Sequence, residues 1–323
     1  MHFPISGIDV SPIIPPLISL IVSSLTASAG ISGAFLLLPF QVSVLHFTSP
    51  SVSPTNLLYN IIAIPGGLYR YIKEKRMTWA LTLIVSLGTL PGVFIGALIR
   101  IYYLPNPRTF KLFVGIILLY LVYLLISDII GRNKKIKQGN ISLNKKFAKQ
   151  ATLGKQNYLK CFVTRLPEEA VVETKNISFS KIEYEFWGET YSFNPVSVFI
   201  LALIVGNIGG IYGIGGGAMI SPFCVSILNL PIYTVAGAAL ASTFITSIAG
   251  VIYYQILAVT PFSGHASVSP DWLLGLLFGL GGLIGTYLGA YLQKFLPEKV
   301  VKILLVFLIL LVSSSYIIQF FTT

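Results

Sequence analysis

Two glycine-rich stretches have the residue types and the spacing to bind an anion inside an otherwise apolar chain. The first reads Gly-Ile-Ser-Gly-Ala over Gly30–Ala34, and the second reads Gly-Ile-Gly-Gly-Gly over Gly213–Gly217. The two copies lie 183 residues apart, and this offset stays constant as far as Gly67 and Gly250. In a membrane protein, a duplicated helix break is typical of the place where a substrate binds.

Glycine lets backbone N–H groups face a ligand because it carries no Cβ atom. A helix that begins just after a glycine run adds the positive end of its dipole, which favours an anion. The residues leave a structural alternative open, in which the glycines only allow two helices to cross closely. The candidate substrate-binding glycines are Gly30, Gly33, Gly213, Gly215, Gly216 and Gly217.

Three polar residues near the middle of the apolar segments are candidates for the same site: Asn60, Ser242 and Thr243. Asn60 matches Thr243 at the 183-residue offset, and Ser242 matches Tyr59. Amide and hydroxyl groups can donate to the oxygens of an anion without placing a charge in the bilayer, where it costs several kcal/mol. The alternative is that each hydroxyl bonds to a carbonyl of its own helix.

Other kinds of chemistry lack the residues that they need. The sequence has no His-Glu-x-x-His motif, no paired intramembrane aspartates and no P-loop ending in Gly-Lys-Ser/Thr. Cys161 and Cys224 share no motif, so neither a disulfide nor a metal site is expected. Asp128, Asp271 and Arg100 lie near the ends of apolar segments, so no carboxylate proton relay is visible. We expect no catalytic residue, no metal and no cofactor, and we do not expect an enzyme.

The elements that must position the glycine stretches are membrane helices. The 323 residues are 54% hydrophobic and 10% charged, with a mean hydropathy of +0.81, whereas soluble domains carry about 25% charged residues. Several apolar runs exceed the roughly 18 residues that indicate a spanning helix. Runs such as 112–126 and 300–312 lack the period-2 alternation of a barrel strand. The predicted fold class is an all-α integral membrane protein.

The chain divides into two similar halves around a basic loop. Residues 1–130 form the first predicted membrane repeat, residues 194–323 form the second, and residues 131–193 form a small insert. Each repeat contains about five helical segments, so the whole chain is expected to have about eight to ten spans. The near-period-2 spacing of apolar residues in 177–186 predicts a few β-strands in the insert, and 131–155 is expected to be partly disordered.

Both repeats contain glycines that recur every four residues and therefore share one helix face. This spacing indicates close helix packing, with a pore-lining role as the alternative. These glycines are Gly88, Gly92 and Gly96 in the first repeat and Gly281, Gly285 and Gly289 in the second.

The distribution of charge predicts the orientation of the chain in the cell membrane. Twelve of the 22 Lys and Arg residues lie within 131–193, so this loop is expected to be cytoplasmic rather than to bind nucleic acid. The loop 70–76 is also basic, whereas its counterpart 257–270 has no Lys or Arg. The second repeat is therefore predicted to be inverted relative to the first. Five segments per repeat satisfy this inversion and place both termini outside.

The duplicated glycine motif resembles that of the TauE/SafE family of sulfite and organosulfonate exporters. The resemblance rests on Gly213–Pro222, on its degenerate copy Gly30–Pro39 and on the glycine-spaced helix that follows each copy, and it covers roughly residues 12–130 and 194–321. It implies transport of a small sulfur-containing anion. The chain departs from the pattern at Ser32 and Ala34, where the second copy has glycines, and in the length of its insert.

These observations predict a transporter, expected to be an exporter, for small anions such as sulfite or organosulfonates, working by alternating access in the lipid bilayer. A passive anion channel is one alternative. A non-transporting membrane scaffold or sensor that signals through 131–193 is another, and it predicts that glycine changes are silent while loss of the insert abolishes function. The sequence is also compatible with a homodimer.

Overall fold

The computed structural model describes residues 1–28, 30–130, 170–259, 268–293 and 298–322. The described part is mostly helical, as predicted, and contains ten α-helices. They are α1 Ile14–Ala27, α2 Ala34–Ser43, α3 Val52–Lys73, α4 Trp79–Tyr102, α5 Pro107–Ile130, α6 Pro195–Tyr212, α7 Ile220–Ser226, α8 Ile232–Val259, α9 Trp272–Leu292 and α10 Glu298–Thr322.

Five stretches of these helices are long and apolar enough to cross a membrane: Trp79–Tyr102, Pro107–Ser127, Pro195–Tyr212, Ile232–Val259 and Trp272–Leu292. By contrast, α1 has 14 residues and α2 has 10. At about 1.5 Å per residue, neither reaches across a hydrocarbon core of about 30 Å. The chain instead turns back between α1 and α2, at the first glycine stretch. The start of α2 is held by Tyr212 at the end of α6, which donates its hydroxyl proton to Phe35 O at 2.9 Å.

The glycines with a four-residue spacing bring two pairs of helices into backbone contact. A Cβ atom on Gly92 of α4 would lie 2.5 Å from Leu203 O of α6, which is closer than real Cβ contacts allow. A Cβ atom on Gly285 of α9 would lie 2.5 Å from Leu20 O of α1. The packing role of these glycines is therefore confirmed.

The centre of the bundle is formed by α3 and α8. These two helices pack against each other, α3 also packs against α9, and α8 also packs against α4. Both are buried along most of their length. The polar residues predicted from the sequence lie on these two helices, so the bundle holds them away from lipid.

A small sheet covers one end of the bundle, which we call the insert end. Strands β3 Val172–Ile177, β4 Ile182–Phe186 and β5 Glu189–Phe193 pair antiparallel in that order. The sheet reaches the helices through Val172 N, which donates to Lys75 O at 3.0 Å, and through Tyr184, whose hydroxyl lies 2.9 Å from Thr234 Oγ1. The segment 131–155, for which disorder is predicted, lies outside the described residues.

The opposite end of the bundle, which we call the hairpin end, carries a two-stranded hairpin of β1 His2–Phe3 and β2 Ile8–Asp9. Ser6, between the strands, donates its hydroxyl proton to Asp271 Oδ2 at 2.8 Å. Asp271 also caps α9, because its Oδ1 accepts from Leu274 N at 3.1 Å. The N-terminal segment is thereby fixed to the start of α9.

Candidate functional site

The first glycine break, Gly30–Gly33, reverses the chain between α1 and α2. Gly30 has φ of +69°, a left-handed conformation that side chains other than glycine rarely adopt. Its N–H donates to Ala27 O at 3.1 Å, and Ile31 N donates to Thr26 O at 3.1 Å, which ends α1. Helix α2 begins directly afterwards at Ala34, so the positive end of its dipole lies at this break.

The second glycine break, Gly213–Gly217, reverses the chain between α6 and α7. Gly213 has φ of +77° and ends α6 with a hydrogen bond of 2.9 Å from its N–H to Gly209 O. Gly216 N donates to Thr246 Oγ1 on α8 at 3.1 Å. Helix α7 begins only at Ile220 and has seven residues. The helix dipole therefore supports an anion better at the first break than at the second.

Asn60 of α3 joins the two breaks through its side-chain amide. Its Oδ1 accepts a hydrogen bond from Ser32 Oγ in the first break. Its Nδ2 donates to Ile214 O in the second break at 2.9 Å and to Ser247 Oγ on α8 at 3.2 Å. Asn60 and its three partner residues Ser32, Ile214 and Ser247 are all buried. The two stretches that resemble each other in sequence therefore meet in space at one amide.

The other two predicted polar residues differ in their contacts. Thr243 lies against the second break, since a Cβ atom on Gly217 would lie 2.8 Å from its Oγ1. Its hydroxyl donates to Ala239 O in its own helix at 2.7 Å. Ser242 donates to Ala238 O in its own helix at 2.8 Å and bonds to Thr82 O of α4 at 3.1 Å. The backbone-bonding alternative thus describes both hydroxyls in this conformation, and Ser242 joins α8 to α4 rather than to a break.

Two further side chains face the breaks and are not among the predicted site residues. A Cβ atom on Gly33 would lie 2.2 Å from the Tyr59 hydroxyl, which is 2.6 Å from Ser23 Oγ. A Cβ atom on Gly216 would lie 2.3 Å from Thr89 Cβ. Tyr59 could have been found from its match with Ser242 at the 183-residue offset. Thr89 on α4 has no signal of this kind in the sequence.

Some buried polar atoms near the breaks have no hydrogen-bond partner. Ser221 Oγ is one of them, and it would lie 3.2 Å from a Cβ atom on Gly30. Gln41 Oε1 and Ser86 Oγ are also buried and without a partner. Unpaired buried polar atoms are rare in folded proteins and costly. Ser221 therefore adds hydrogen-bonding capacity beside the first break that a bound ligand can use.

The buried charged groups lie at helix ends, outside the glycine stretches themselves. Within the described ranges, the buried charged side chains are Arg76, Arg100 and Asp271, and each lies at or beyond the end of a helix. The described residues also contain no cluster of His, Cys, Asp or Glu that could hold a metal ion. The site is polar and uncharged, which suits a dehydrated anion held by N–H and O–H donors.

A narrow apolar cleft without room for a water molecule lies beside the breaks, and its lining excludes it as the anion site. Ile31 comes from the first break, and Ala218 follows the second. The complete lining is Ile31, Phe35, Leu121, Leu125, Ala218, Met219, Pro222 and Ile309. No donor side chain faces this space, so it offers an anion no hydrogen bond.

Comparison with known proteins decides the family. A family model described as sulfite exporter TauE/SafE matches residues 16–316, which is nearly the whole chain. The chain belongs to the TauE/SafE family. The resemblance inferred from the two glycine stretches is thereby confirmed.

A curated relative of this family member points to the same general role. The probable membrane transporter protein YunE of Bacillus subtilis (strain 168) is 23% identical over 309 residues, which cover 93% of this chain and 95% of the relative. No solved structure matches the chain. The family, the relative and the apolar helices together support a multi-pass membrane transporter rather than an enzyme.

Proposed function

We propose that the two glycine breaks form the binding site of a transporter for small sulfur-containing anions, such as sulfite or organosulfonates. The single observation that carries the proposal is the Asn60 amide, which bonds to Ser32 in one break and to Ile214 O in the other. A ligand that enters between the breaks replaces these bonds with its own. The uncharged hydrogen-bond donors at the site support an anion as the ligand, and the family supports a sulfur-containing one.

The contacts of the two halves support the inverted repeat. Tyr71 donates to Ala27 O at 3.4 Å, and Tyr254 donates to Gly210 O at 3.1 Å. Both members of the second pair follow the first by 183 residues. Tyr71 lies near Lys75 at the insert end, whereas Tyr254 lies near the hairpin end, beside Gln255, which accepts from Ser269 Oγ at 3.1 Å. Equivalent contacts at opposite ends of the bundle are what an inverted repeat produces.

Alternating access follows from this arrangement. Each break belongs to one of the two repeats, and both breaks bond to Asn60. Rocking of one repeat against the other then opens the site first to one side of the membrane and afterwards to the other. The basic insert end faces the cytoplasm by the positive-inside rule, and the hairpin end, with the N-terminus, faces outside. Export of the anion is the direction that the family name suggests.

The test is flux into proteoliposomes that contain the purified protein. We expect saturable uptake of sulfite and of methanesulfonate by the wild-type protein. Asn60→Leu keeps a side chain of similar volume but has no amide, so we expect it to lower the flux at least about ten-fold, which corresponds to loss of one hydrogen bond to a charged group. Even a Cβ atom on Gly216 would lie 2.3 Å from Thr89 Cβ, so Gly216→Leu displaces the second break and should abolish the flux.

The matched control is Ser313→Ala. Ser313 is buried and donates to Gly115 O at 2.8 Å between α10 and α5, away from both breaks. This variant removes a buried hydrogen bond of similar strength, and its flux should stay within about two-fold of the wild type. Absence of flux for every sulfur anion, or equal flux in Asn60→Leu and Ser313→Ala, contradicts the proposal. Flux that rises linearly with concentration identifies a channel instead.

A further inference from the structure

A buried arginine at the hairpin end has an incomplete set of partners. Arg100 lies near the end of α4 and is 0% exposed. Its Nε donates to Ser53 Oγ at 3.4 Å, and its Nη1 donates to Leu104 O. The guanidinium carbon lies 3.9 Å from the centre of the Phe110 ring. Its Nη2 is buried and has no hydrogen-bond partner.

No carboxylate neutralises this arginine among the residues that the structure describes. At the same end, Asp271 bonds to Ser6 and to Leu274 N, and Asp9 is exposed and pairs with His2 at 3.1 Å. A buried cation without a counter-ion is strongly unfavourable, so the fold keeps a positive charge that an anion would stabilise.

The guanidinium is connected to the second break through one residue. Ser53, which accepts from Arg100, donates its own proton to Ile211 O at 3.2 Å. A Cβ atom on Gly213 would lie 2.5 Å from Ser53 Cα, so the break packs directly on this residue. An anion at Nη2 therefore lies next to the break, on the side of the hairpin end.

The insert end has a position equivalent to that of Arg100, and the cation that contacts this position is already paired with a carboxylate. Gln293 follows Arg100 by the 193 residues that separate Gly96 from Gly289. Gln293 Oε1 accepts from Tyr71 at 3.0 Å and from Arg76 Nη1 at 2.8 Å. Arg76 in turn pairs with Glu74 at 2.5 Å. The two ends thus differ in kind, since the cation at the insert end has a carboxylate and Arg100 has none.

We propose that Arg100, oriented by Ser53, forms an anion subsite at the hairpin end, which binds the trigonal oxygens of a sulfite or sulfonate group through Nη2. Nη2 contributes two N–H donors that are fixed in the plane of the guanidinium fork, whereas an ammonium is a compact point charge. The inference rests on the proposed function, because the ligand of this subsite is the transported anion. Arg100 holds the anion before it enters, or after it leaves, the uncharged site at the breaks.

The test compares binding of methanesulfonate by calorimetry, and its flux in proteoliposomes, for three variants of the full chain. Arg100→Gln places the residue of the insert end at the hairpin end, and its dissociation constant and KM should rise about 10- to 100-fold. Arg100→Lys keeps the charge but not the fork, so we expect a rise of about ten-fold. Arg108→Gln is the control. Arg108 is exposed at the start of α5, so this variant should match the wild type.

Melting temperatures separate folding from binding. If Arg100→Gln does not fold, Arg100→Lys carries the test, and wild-type affinity in that variant overturns the subsite. Arg100→Gln that folds and binds methanesulfonate like the wild type also overturns it. These outcomes differ from failure of the proposed function, in which the wild-type protein itself neither binds nor transports any sulfur anion.

Discussion

At the scale of single residues, Asn60 joins two glycine stretches that are distant in the sequence. Its oxygen accepts from Ser32, and its nitrogen donates to Ile214 O. An amide can exchange such bonds for bonds to a ligand without changing its charge, which a carboxylate or an ammonium in the same place could not do at low cost. The hydroxyls of Ser242 and Thr243 bond to their own helix and contribute less directly.

The conformation of Gly213 gives a residue-scale prediction. Gly213→Ala meets two costs, a positive φ and a Cβ atom placed 2.5 Å from Ser53 Cα. Gly7→Ala is the matched control, because Gly7 has φ of +68° but nothing within 4 Å of the added atom. Gly7→Ala should cost about 1–2 kcal/mol, and Gly213→Ala roughly 1–3 kcal/mol more from overpacking. Equal melting temperatures of the two variants in the same detergent would show that the break is not closely packed.

Residue types and spacing predict part of this site and leave part of it out. The constant offset between the breaks is visible in the sequence because both copies retain their glycines. The bond from Asn60 to Ile214 O is not visible, because it joins residues 154 positions apart through the packing of α3. Arg100 is predicted near a segment end, and it lies in the last turn of α4. Its complete burial depends on contacts with Phe110 and Ser53, whose positions are set only by the fold.

At the scale of secondary-structure elements, the small sheet is anchored to the membrane helices at the start of α8. In β4, Ile182, Tyr184 and Phe186 are buried, so the period-2 pattern seen in the sequence marks the face that packs on the bundle. The Tyr184 hydroxyl lies 2.9 Å from Thr234 Oγ1, and Thr78 Oγ1 donates to Thr234 O at 3.0 Å. The sheet is thereby bonded to the start of α8, whose later residue Thr246 accepts from Gly216 N in the second break.

The Tyr184 contact gives an element-scale prediction. Tyr184→Phe removes one buried hydrogen bond and should lower the free energy of unfolding by about 1 kcal/mol, because Thr234 still donates to Pro231 O. Tyr191→Phe is the control, since the buried Tyr191 hydroxyl has no partner, and it should be neutral or stabilising. Thermal melting of both variants checks this, and an equal loss in the two would show that the hydroxyl pair does not anchor the sheet.

The same contact has a defined pH dependence. Burial raises the pKa of Tyr184 above the ordinary tyrosine value of 10.0. Because the folded state then binds the proton more tightly than the unfolded state, this contribution to stability is present below pH 10.0 and is lost as pH rises through the folded pKa. The anchoring of the sheet is therefore constant across the physiological range.

At the scale of the whole molecule, the two halves that we propose to be repeats share helix crossings but differ at the breaks and at the bundle ends. The glycine crossings of α4 on α6 and of α9 on α1 use the same spacing and the same kind of backbone contact. The breaks differ, since Ser32 stands where the second copy has Gly215, and the two ends of the bundle differ, since Arg100 stands where the second repeat has Gln293. The frame is therefore similar in the two halves, whereas the breaks and the two ends of the bundle differ.

The most direct measurement is an experimental structure of the protein with a bound organosulfonate. We predict density for the anion between Gly30–Gly33 and Gly213–Gly217, within hydrogen-bond distance of the Asn60 side chain, with the bond from Asn60 to Ser32 or to Ile214 O broken. Density for the ligand only in the apolar cleft beside Met219, or only at the membrane surface, with both Asn60 bonds intact, would contradict the account.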